Sequence, residues 1–532
     1  MRKGRSSTVE KKTSIKNSVG RLLLAVLMLL LQFLWVEVLV SMLSDQYPIV
    51  NIVISVFAVV LVIAINENEK VMSLKAPIML LILLVPVIGV IFFLLSELMS
   101  NTVLMRKKFE KNRNLTEEYL EDSSELIAEF ASEDSHAAGT FSYLQDLCKY
   151  PVYSDTDITY FDDAAKALQS QIEAIKQAKE FVFLEYHAIE DKESFEQMKE
   201  ALFERAEAGV DVRIIYDDLG SFVFINTDFI KRMEEHGIKC QVFNPIVPLF
   251  NLFINNRDHR KITVVDGRVG FTGGYNIANE YFNITHPYGE WKDAGIRLEG
   301  SAVNSLTAMF FEMWNSADRK LRDEDYAKFF PKHEEDCSKS IVNTKEEKSY
   351  KGFVAPYADN PIDDEPMGEN VYISLINNSI DYVWFITPYL IITDELKRAL
   401  QIAAKRGVDV RIVTPGIPDK KIVYQTTRSY YSELISAGVK IYEFSPGFCH
   451  AKLCLTDDKF AVCGTINLDF RSLYHHFENA VLLYDVAAIE DIKKDFEKTF
   501  KRSENVTSKY LKKQRGPLRV VQSLLRLIAP LF

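Results

Sequence analysis

Two stretches of the chain carry the same chemically active residues in the same order. They are HRKITVVDGRVGFTGGYN at 259–276 and HAKLCLTDDKFAVCGTIN at 450–467. In each, a lysine follows a histidine by two residues, an aspartate follows the lysine by five, and an apolar run leads through a glycine-containing turn to an asparagine. The recurring residues are His259, Lys261, Asp266, Gly274 and Asn276 in the first stretch and His450, Lys452, Asp457, Gly464 and Asn467 in the second.

A histidine and a lysine two residues apart on a β-strand point to the same face of the sheet. An imidazole beside a cationic lysine suits a reaction at an anion, and phosphate is the anion that the pair indicates. The turns that contain Gly274 with Asn276 and Gly464 with Asn467 are predicted to cradle phosphate oxygens. A displacement at phosphorus needs two imidazoles, because a neutral one attacks while a protonated one releases the leaving alkoxide. We therefore predict that the two stretches together form one catalytic site.

The two aspartates stand apart from this chemistry. Asp266 and Asp457 follow the lysines by five residues, an odd offset that turns them to the opposite side of a regular strand. The spacing is therefore at least as consistent with a structural role for the aspartates as with a catalytic one.

Metal ligation is the alternative for the second stretch, where Cys449, His450 and Cys454 lie close together in the sequence. The first stretch has no cysteine, so a metal site would break the symmetry of the pair, and we predict no metal and no cofactor. The six cysteines of the chain show no CxxC spacing, which disfavours a zinc site or a disulfide framework. They are predicted to be buried free thiols in a reducing compartment.

Both stretches lie within a longer internal repeat. AGVDVRII at 208–215 matches RGVDVRIV at 406–413, and the matching segments precede each His/Lys stretch in the same order. Short β-branched and aromatic runs alternate with helical stretches around them, which predicts an α/β fold built from two similar halves. The predicted divisions are a helical lead-in at 100–150, a first half at 151–331, a polar linker at 332–350, a second half at 351–505 and an amphipathic tail at 506–532.

The N-terminal part of the chain is of a different kind. Its first apolar run is long enough to cross a bilayer, which needs about 20 helical residues, and all three runs are predicted to be membrane segments. The third run contains prolines and a glycine and is predicted to be a kinked span or a re-entrant segment. Basic clusters flank the runs on both sides, and we predict a cytoplasmic catalytic region. The segments are a basic tail at 1–21 and apolar runs at 22–43, 49–65 and 76–95.

The C-terminal tail RGPLRVVQSLLRLIAPLF, at 515–532, has an amphipathic pattern. Arg519, Gln522, Ser523 and Arg526 fall on one helical face, with leucines and valines opposite. Such a helix either lies in the interface of a membrane that contains anionic lipid or docks against the domain.

The paired stretches resemble the HxKxxxxD signature of the phospholipase D superfamily, with no departure at His, Lys or Asp. The order of apolar runs, two motif-bearing halves and a basic apolar tail is similar to the bacterial cardiolipin synthases over nearly the whole chain. Further matches are APIMLLILLVPVIGVIFFLL at 76–95 and EWKDAGIRLEG at 290–300, whereas the extra run at 22–43 departs from the commoner layout. The resemblance implies two phospholipase D-like α/β halves packed as one catalytic unit, preceded by N-terminal transmembrane helices.

The resemblance also implies a phosphatidyl transfer in two steps. One histidine attacks phosphatidylglycerol to form a phosphohistidine, glycerol leaves with a proton from the other histidine, and a second phosphatidylglycerol resolves the intermediate to cardiolipin. His259 is expected to be the nucleophile and His450 the general acid and then base, although the order could be reversed. The implied site comprises catalytic His259, Lys261, Asp266, His450, Lys452 and Asp457, phosphate-binding Asn276, Asn467, Gly274 and Gly464, and histidine-orienting Asp293 and Glu478.

Three alternatives stay open at this point. A membrane-bound hydrolase of the phospholipase D type would use the same residues. A nuclease of the superfamily is disfavoured by the apolar segments and by the formal net charge of -11. A non-catalytic protein that binds anionic lipid would be expected to lack a motif residue. The expected partners are phosphatidylglycerol and cardiolipin in the cell membrane, with no nucleic acid, for a chain that crosses the membrane several times.

Overall fold

The computed structural model describes most of the chain beyond the first apolar run. The run predicted at 22–43 and most of the linker predicted at 332–350 lie outside the described residues. The described ranges are 48–68, 71–99, 102–226, 228–245, 256–317, 324–332, 343–345, 348–350, 352–363, 365–511 and 517–531, with a few single positions between 27 and 42.

In the continuously described part of the chain, the helices that precede the first half are α1 (Pro48–Glu67), α2 (Met72–Leu84), α3 (Pro86–Met99) and α4 (Thr102–Glu117). The run predicted as a kinked or re-entrant segment is two helices, of 13 and 14 residues, that meet at Val85. The break follows from Pro86, which has no N–H to continue a helix and suits the first position of a new one. The two helices can fold back closely because Gly89 has no Cβ, which would lie 2.5 Å from the Ile82 Cα. Among the described residues, none of the helices has both the length and the apolar composition for a membrane crossing.

The first half is an α/β layer structure with helices on both faces of one sheet. Seven of its strands form this sheet, in the order β1-β9-β7-β6-β2-β3-β4, with β2, β3 and β4 parallel. Its strands are β1 (Asp157–Phe161), β2 (Phe181–Tyr186), β3 (Asp211–Asp217), β4 (Lys239–Phe243), β5 (Arg257–Asp258), β6 (Lys261–Val265), β7 (Val269–Gly273), β8 (Glu290–Lys292) and β9 (Gly295–Glu299). Its helices are α5 (Ser124–Phe130), α6 (Ser135–Asp146), α7 (Ala164–Gln177), α8 (Glu193–Glu207), α9 (Asp218–Ser221), α10 (Phe229–Glu235) and α11 (Val303–Ala317).

The second half repeats this architecture. Its strands are β10 (Asn343–Lys345), β11 (Lys348–Tyr350), β12 (Phe353–Asp359), β13 (Tyr382–Ile386), β14 (Leu390–Ile391), β15 (Asp409–Pro415), β16 (Lys440–Phe444), β17 (Gly447–Cys449), β18 (Leu453–Thr456), β19 (Phe460–Gly464), β20 (Leu468–Asp469), β21 (His476–Tyr484) and β22 (Ser503–Asn505). Its helices are α12 (Met367–Asn378), α13 (Asp394–Arg406), α14 (Lys421–Ser436), α15 (Phe470–Tyr474), α16 (Ala488–Lys501), α17 (Thr507–Tyr510) and α18 (Pro517–Ile528). The main sheet runs β12-β21-β19-β18-β13-β15-β16-β22.

The two sheets share one strand order. The first seven strands of the second sheet occupy the places of β1, β9, β7, β6, β2, β3 and β4 in the first. The repeat predicted from the sequence is therefore a repeat of structure, and each His/Lys stretch leads into the same strand of its sheet, β6 or β18. Both strands are completely buried, which suits apolar runs flanked by layers on either face.

Short parallel strands join the halves beside the motifs. β8 of the first half pairs with β17 of the second, and the start of β21 pairs with β5. The backbone N–H of His259 donates to the carbonyl of Phe477 at 2.9 Å, and that of His450 donates to the carbonyl of Lys292 at 2.7 Å. Both histidines are therefore fixed to backbone of the opposite half.

The motif aspartates lie at the far ends of the motif strands. Asp266 is five residues beyond Lys261, a separation of about 16 Å along a strand. Its carboxylate accepts backbone N–H bonds of 2.8–2.9 Å from residues 179–181, just before and at the start of β2. Asp457 accepts the equivalent three bonds from residues 380–382, and both aspartates have a left-handed φ of 52°. The expectation that groups them with the catalytic residues is corrected: each ties the end of its motif strand to the neighbouring strand.

Asp457→Ala should lower stability and leave turnover per folded molecule close to wild type. It removes three hydrogen bonds and places alanine at a positive φ, which together cost about 1–3 kcal/mol. Asp458→Ala is the matched control, because the exposed Asp458 has a φ of 56° and makes none of these three bonds. Denaturant unfolding in detergent measures the difference, and loss of turnover without loss of stability would contradict the structural role.

Candidate active site

Each motif histidine is held by a carboxylate of the other half. His259 Nδ1 lies 2.9 Å from Glu478 Oε2, and His450 Nδ1 lies 2.7 Å from Asp293 Oδ2. The sequence predicted these two acids as the histidine-orienting residues. The structure brings each acid to its motif histidine crosswise, so the described part of neither half contains both a motif histidine and the carboxylate that orients it.

The strand pairings between the halves explain why each acid reaches the histidine of the other half. In the pairing of β8 with β17, Lys292 lies opposite Cys449, so the next residues, Asp293 and His450, become neighbours. In the pairing of β5 with β21, Asp258 lies opposite Phe477, so His259 and Glu478 become neighbours in the same way. The two half-sites are thereby built by equivalent backbone geometry.

The carboxylates are ionised and the imidazoles are neutral. Burial alone would raise the pKa of Asp293, but its electrostatic attraction to the His450 ring and the hydrogen bond between them hold it below its usual value. The pKa of Glu478 is lowered against the same effect of burial, by His259 first. Burial lowers the pKa of His259 well below its ordinary value, and burial with the nearby Lys452 lowers that of His450 to about 4. An Nδ1–H directed at a carboxylate makes Nε2 the lone-pair nitrogen of each ring, and Nε2 of His450 lies 3.0 Å from the Lys452 amine.

The two motif lysines are buried beside the histidines. Lys261 is 1% exposed and Lys452 is 2% exposed, and each amine donates to the carbonyl of the histidine two residues before it. The Lys452 amine also lies 2.9 and 3.0 Å from the two ring nitrogens of His450. Burial lowers the pKa of Lys261 to about 7 and that of Lys452 to about 8. A bound anion would favour the charged form of both amines.

The predicted phosphate-binding asparagines are both buried but have different partners. Asn276 accepts from the Ala188 N–H at 3.2 Å and donates to the Tyr281 hydroxyl at 2.7 Å. Asn467 is 4% exposed, and within the described part of the chain its Oδ1 makes no hydrogen bond.

The two motif glycines are in close contact with the backbone and side chains around them, and their predicted contact with phosphate stays a prediction. The N–H of Gly274 donates to the carbonyl of Ala294 at 3.0 Å, and a Cβ on Gly274 would lie 2.1 Å from Asp293 Oδ1. Gly464 pairs with Ala480 between β19 and β21, and a Cβ there would lie 2.4 Å from the Ala480 Cα. Both glycines permit close packing, and Gly274 specifically makes room for the acid that orients His450.

The imidazole and aromatic rings that surround the two motif histidines were not predicted from the sequence. The His187 and His476 rings lie 5.1 and 5.3 Å from that of His259, between ring centroids. Around His450 the neighbours are aromatic: Trp291, Tyr281 and Phe448 lie at 5.1, 5.3 and 5.8 Å. The internal repeat carried a usable signal, because His476 precedes Glu478 by two residues as Trp291 precedes Asp293. The two histidines therefore have unlike surroundings in otherwise equivalent positions.

The cysteines near the second motif are buried thiols. Burial raises the pKa of Cys449 to about 12 and that of Cys454 well above its ordinary value. Within the described part of the chain, Cys449, His450 and Cys454 are not a group whose ligand atoms converge on one point.

Gly274→Ala should reduce turnover about 10–100-fold, because the new methyl group displaces Asp293 and releases the His450 ring. Gly139→Ala is the matched control, since a Cβ at Gly139 in α6 meets nothing within 4 Å. Initial rates on mixed micelles of phosphatidylglycerol measure the effect. Equal rates for the two variants would show that the position of Asp293 does not limit the reaction.

Comparison with known proteins gives the family. Residues 171–314 and 372–500 match the family described as "Cardiolipin synthase, PLD-like domain". The chain is 31% identical to "Cardiolipin synthase 1" of Bacillus anthracis over 95% of this chain and 99% of that protein. It is 38% identical to an uncharacterised protein of Streptococcus mutans over 85% of this chain and 95% of that one.

A solved structure shows the same fold. The crystal structure of phosphatidylserine synthase from Haemophilus influenzae matches 73% of this chain and 96% of its own, with a TM-score of 0.53 at 15% sequence identity. The family match and the relative of B. anthracis cover both halves and both histidines. The chain therefore belongs to the cardiolipin synthase family of phospholipase D-like proteins.

Proposed function

We propose that the chain is a cardiolipin synthase, a phosphatidyltransferase that joins two molecules of phosphatidylglycerol to give cardiolipin and glycerol. The observation that carries this proposal is the crosswise pair of histidines, each oriented by a buried carboxylate and accompanied by a buried lysine. Two such imidazoles are what a double displacement at phosphorus requires, one to bind the phosphatidyl group and one to move protons.

In the first step, His259 Nε2 attacks the phosphorus of phosphatidylglycerol and a nitrogen–phosphorus bond forms. The bond from phosphorus to the glycerol oxygen breaks, and His450 supplies a proton to that oxygen. His450 needs its own proton for this step, and the incoming phosphodiester anion favours the protonated ring, as does Asp293. Glu478 stabilises the positive charge that develops on the His259 ring.

In the second step, the hydroxyl of another phosphatidylglycerol gives its proton to His450 Nε2 and attacks the phosphohistidine. The nitrogen–phosphorus bond breaks, cardiolipin forms and His259 is released. Lys261, Lys452, Asn276 and Asn467 are proposed to bind the phosphate oxygens in both steps, with the lysine charges neutralising the anion.

Burial of the site supports transfer over hydrolysis. His259 is 8% exposed and His450 is 6% exposed, so bulk water has little access to the intermediate. Exchange of one alcohol for another at a phosphodiester is nearly thermoneutral, so the product depends on which hydroxyl reaches the phosphohistidine. A site closed to water and supplied with lipid favours the lipid hydroxyl.

Incubation with phosphatidylglycerol alone should give cardiolipin and glycerol in equal amounts. Thin-layer chromatography of the lipids and an enzymatic assay of glycerol measure both products. Phosphatidic acid with glycerol, and no cardiolipin, would instead establish the hydrolase.

His259→Ala and His450→Ala should each lower the rate of cardiolipin formation by at least about 10²–10⁴-fold, because each removes a group that both steps need. His475→Ala is the matched control, since this neighbouring histidine contacts the carbonyl of Pro530 and has no part in the proposed steps. Rate loss in the control equal to that of the motif variants would argue against a specific role for the two histidines.

We further propose that the chain is a multi-pass protein of the cell membrane, with its catalytic halves in the cytoplasm. The apolar runs of the sequence support this location, and so do exposed apolar side chains of α1 such as Ile52, Val53 and Val56, which are 60–63% exposed. A lipid substrate also requires a site near the bilayer.

The C-terminal helix α18 combines the two alternatives that the sequence left open. Arg526 docks it on α14: its guanidinium donates to Ser429 and Glu433 and lies 4.5 Å from the Tyr430 ring. The opposite face is apolar and open, with Leu524 59% and Leu527 38% exposed. We propose that this outward face rests on the lipid while the polar face holds the second half.

Replacing Leu524 and Leu527 together by Glu should raise the surface concentration of phosphatidylglycerol needed for half-maximal rate, with kcat and the melting temperature unchanged. Leu511→Glu is the matched control, because Leu511 is 58% exposed but lies outside α18. Rates in mixed micelles at several mole fractions of lipid measure the effect. Identical lipid dependence in the double variant and the control would remove the interfacial role.

A further inference from the structure

Three side chains beside the first motif bring possible metal ligands together. The nitrogen or oxygen atoms of His259, His476 and Glu478 all lie within 4.8 Å of one another, and among the described residues no other such group is found. His259 Nδ1 is 2.9 Å from one oxygen of Glu478, and His476 Nδ1 is 3.5 Å from the other. Glu478 thus lies between two imidazoles.

Two buried atoms of this cluster face each other without forming a hydrogen bond of ordinary geometry. His476 Nδ1 and Glu478 Oε1 lie 3.5 Å apart, and neither has a hydrogen-bond partner among the described residues. The other carboxylate oxygen is paired with His259 and accepts from the Thr465 hydroxyl. Buried polar atoms rarely remain unpaired, and such an atom calls for a water, an ion or a functional reason. The repeat makes the contrast clear, because the equivalent of His476 in the other half-site is Trp291, which has no ligand atom for a metal.

We propose that His259 Nδ1, His476 Nδ1 and the Glu478 carboxylate form an inhibitory binding site for a zinc ion. Zinc accepts two imidazoles and a carboxylate, with bonds of about 2.0–2.2 Å and a fourth position left open. Tetrahedral bonds of this length separate neighbouring ligand atoms by about 3.4 Å. The histidine–carboxylate distances of 2.9 and 3.5 Å, each to a different oxygen of Glu478, lie on either side of this value. Binding releases the Nδ1 proton of His259 to solvent, and the ion takes its place on the ring.

The ion would inhibit the reaction because it binds His259 Nδ1 and the Glu478 carboxylate, which act together in the first step. With the ion bound, Glu478 can no longer accept a hydrogen bond from His259 Nδ1. The carboxylate therefore no longer stabilises the positive charge that develops on the His259 ring when it attacks phosphorus. The charge of the ion also disfavours the cationic ring that forms when His259 bonds to phosphorus. The positive charge of Lys261 faces the site as well, and the carboxylates of Glu478 and Asp293 offset it.

The first test is a titration of the purified full-length chain in detergent with zinc chloride, followed by isothermal titration calorimetry. We expect one ion per chain for wild type and for His475→Asn, which changes the adjacent histidine. His476→Asn should bind at least about tenfold more weakly. Equal affinity in His476→Asn and wild type, or no binding by wild type, would overturn the proposal.

A second measurement needs no substitution and so does not depend on the folding of a variant. Copper(II) added to the wild-type chain should show two coordinated imidazole nitrogens by electron paramagnetic resonance. A signal with one imidazole or none would contradict the site.

Zinc should also stop cardiolipin formation, and a chelator should restore it. This last effect rests on the proposed function, whereas the binding experiments do not. A chain that binds zinc but never forms cardiolipin would remove the proposed function and leave the site. A chain that forms cardiolipin but binds no zinc would remove the zinc site and leave the proposed function.

Discussion

The structure depends on two hydrogen bonds that cross between its halves, from His259 to Glu478 and from His450 to Asp293. Among the described residues, neither of these two imidazoles has a carboxylate partner within its own half, so a properly oriented pair exists only when the halves are packed together. Short parallel strands set the position of both bonds, and two ion pairs lie across the same interface. Lys292 contacts Asp495 at 2.7 Å, and Arg502 contacts Glu290. Lys292 and Asp495 are buried together, which avoids an unpaired charge in the interior, whereas the side chains of Arg502 and Glu290 are partly exposed.

The sequence predicted the parts of the site that the repeat duplicates. The two histidines and the two lysines recur at fixed positions, and the α/β repeat followed from matching segments that precede them. The orienting acids were expected only from the family resemblance, since Asp293 follows His259 by 34 residues and Glu478 follows His450 by 28. The sequence could not predict that the acids exchange halves, because that depends on which strands pair across the interface. The offset of Asp266 and Asp457 fitted a structural role at least as well as a catalytic one, and each aspartate accepts three backbone N–H bonds that tie two strands together.

Some features of the site depend on residues that are far apart in the sequence and adjacent in space. Gly274 stands in a turn that resembles a phosphate cradle, and its small size leaves room for Asp293. The apolar run at 76–95 was predicted to be kinked or re-entrant, and the structure divides it into two helices at Pro86. His187 and His476 lie outside the motifs and were missed, because proximity to His259 arises only when the sheets are assembled. The local sequence pattern predicts which residues lie on a helix or a strand, whereas the surroundings of Gly274 and His259 depend on residues that are distant in the sequence.

The most direct test of the crosswise account uses phosphatidyl-p-nitrophenol labelled at phosphorus, because its leaving group departs without a proton from His450. Formation of the intermediate then requires only His259 and its acid, Glu478, whereas its resolution requires His450 and Asp293. We expect Asp293→Asn to release a burst of one nitrophenolate molecule per chain and to retain the phosphorus label on His259. We expect Glu478→Gln to show no burst. A burst in Glu478→Gln and none in Asp293→Asn would contradict the crosswise account, because each acid would then serve the histidine of its own half.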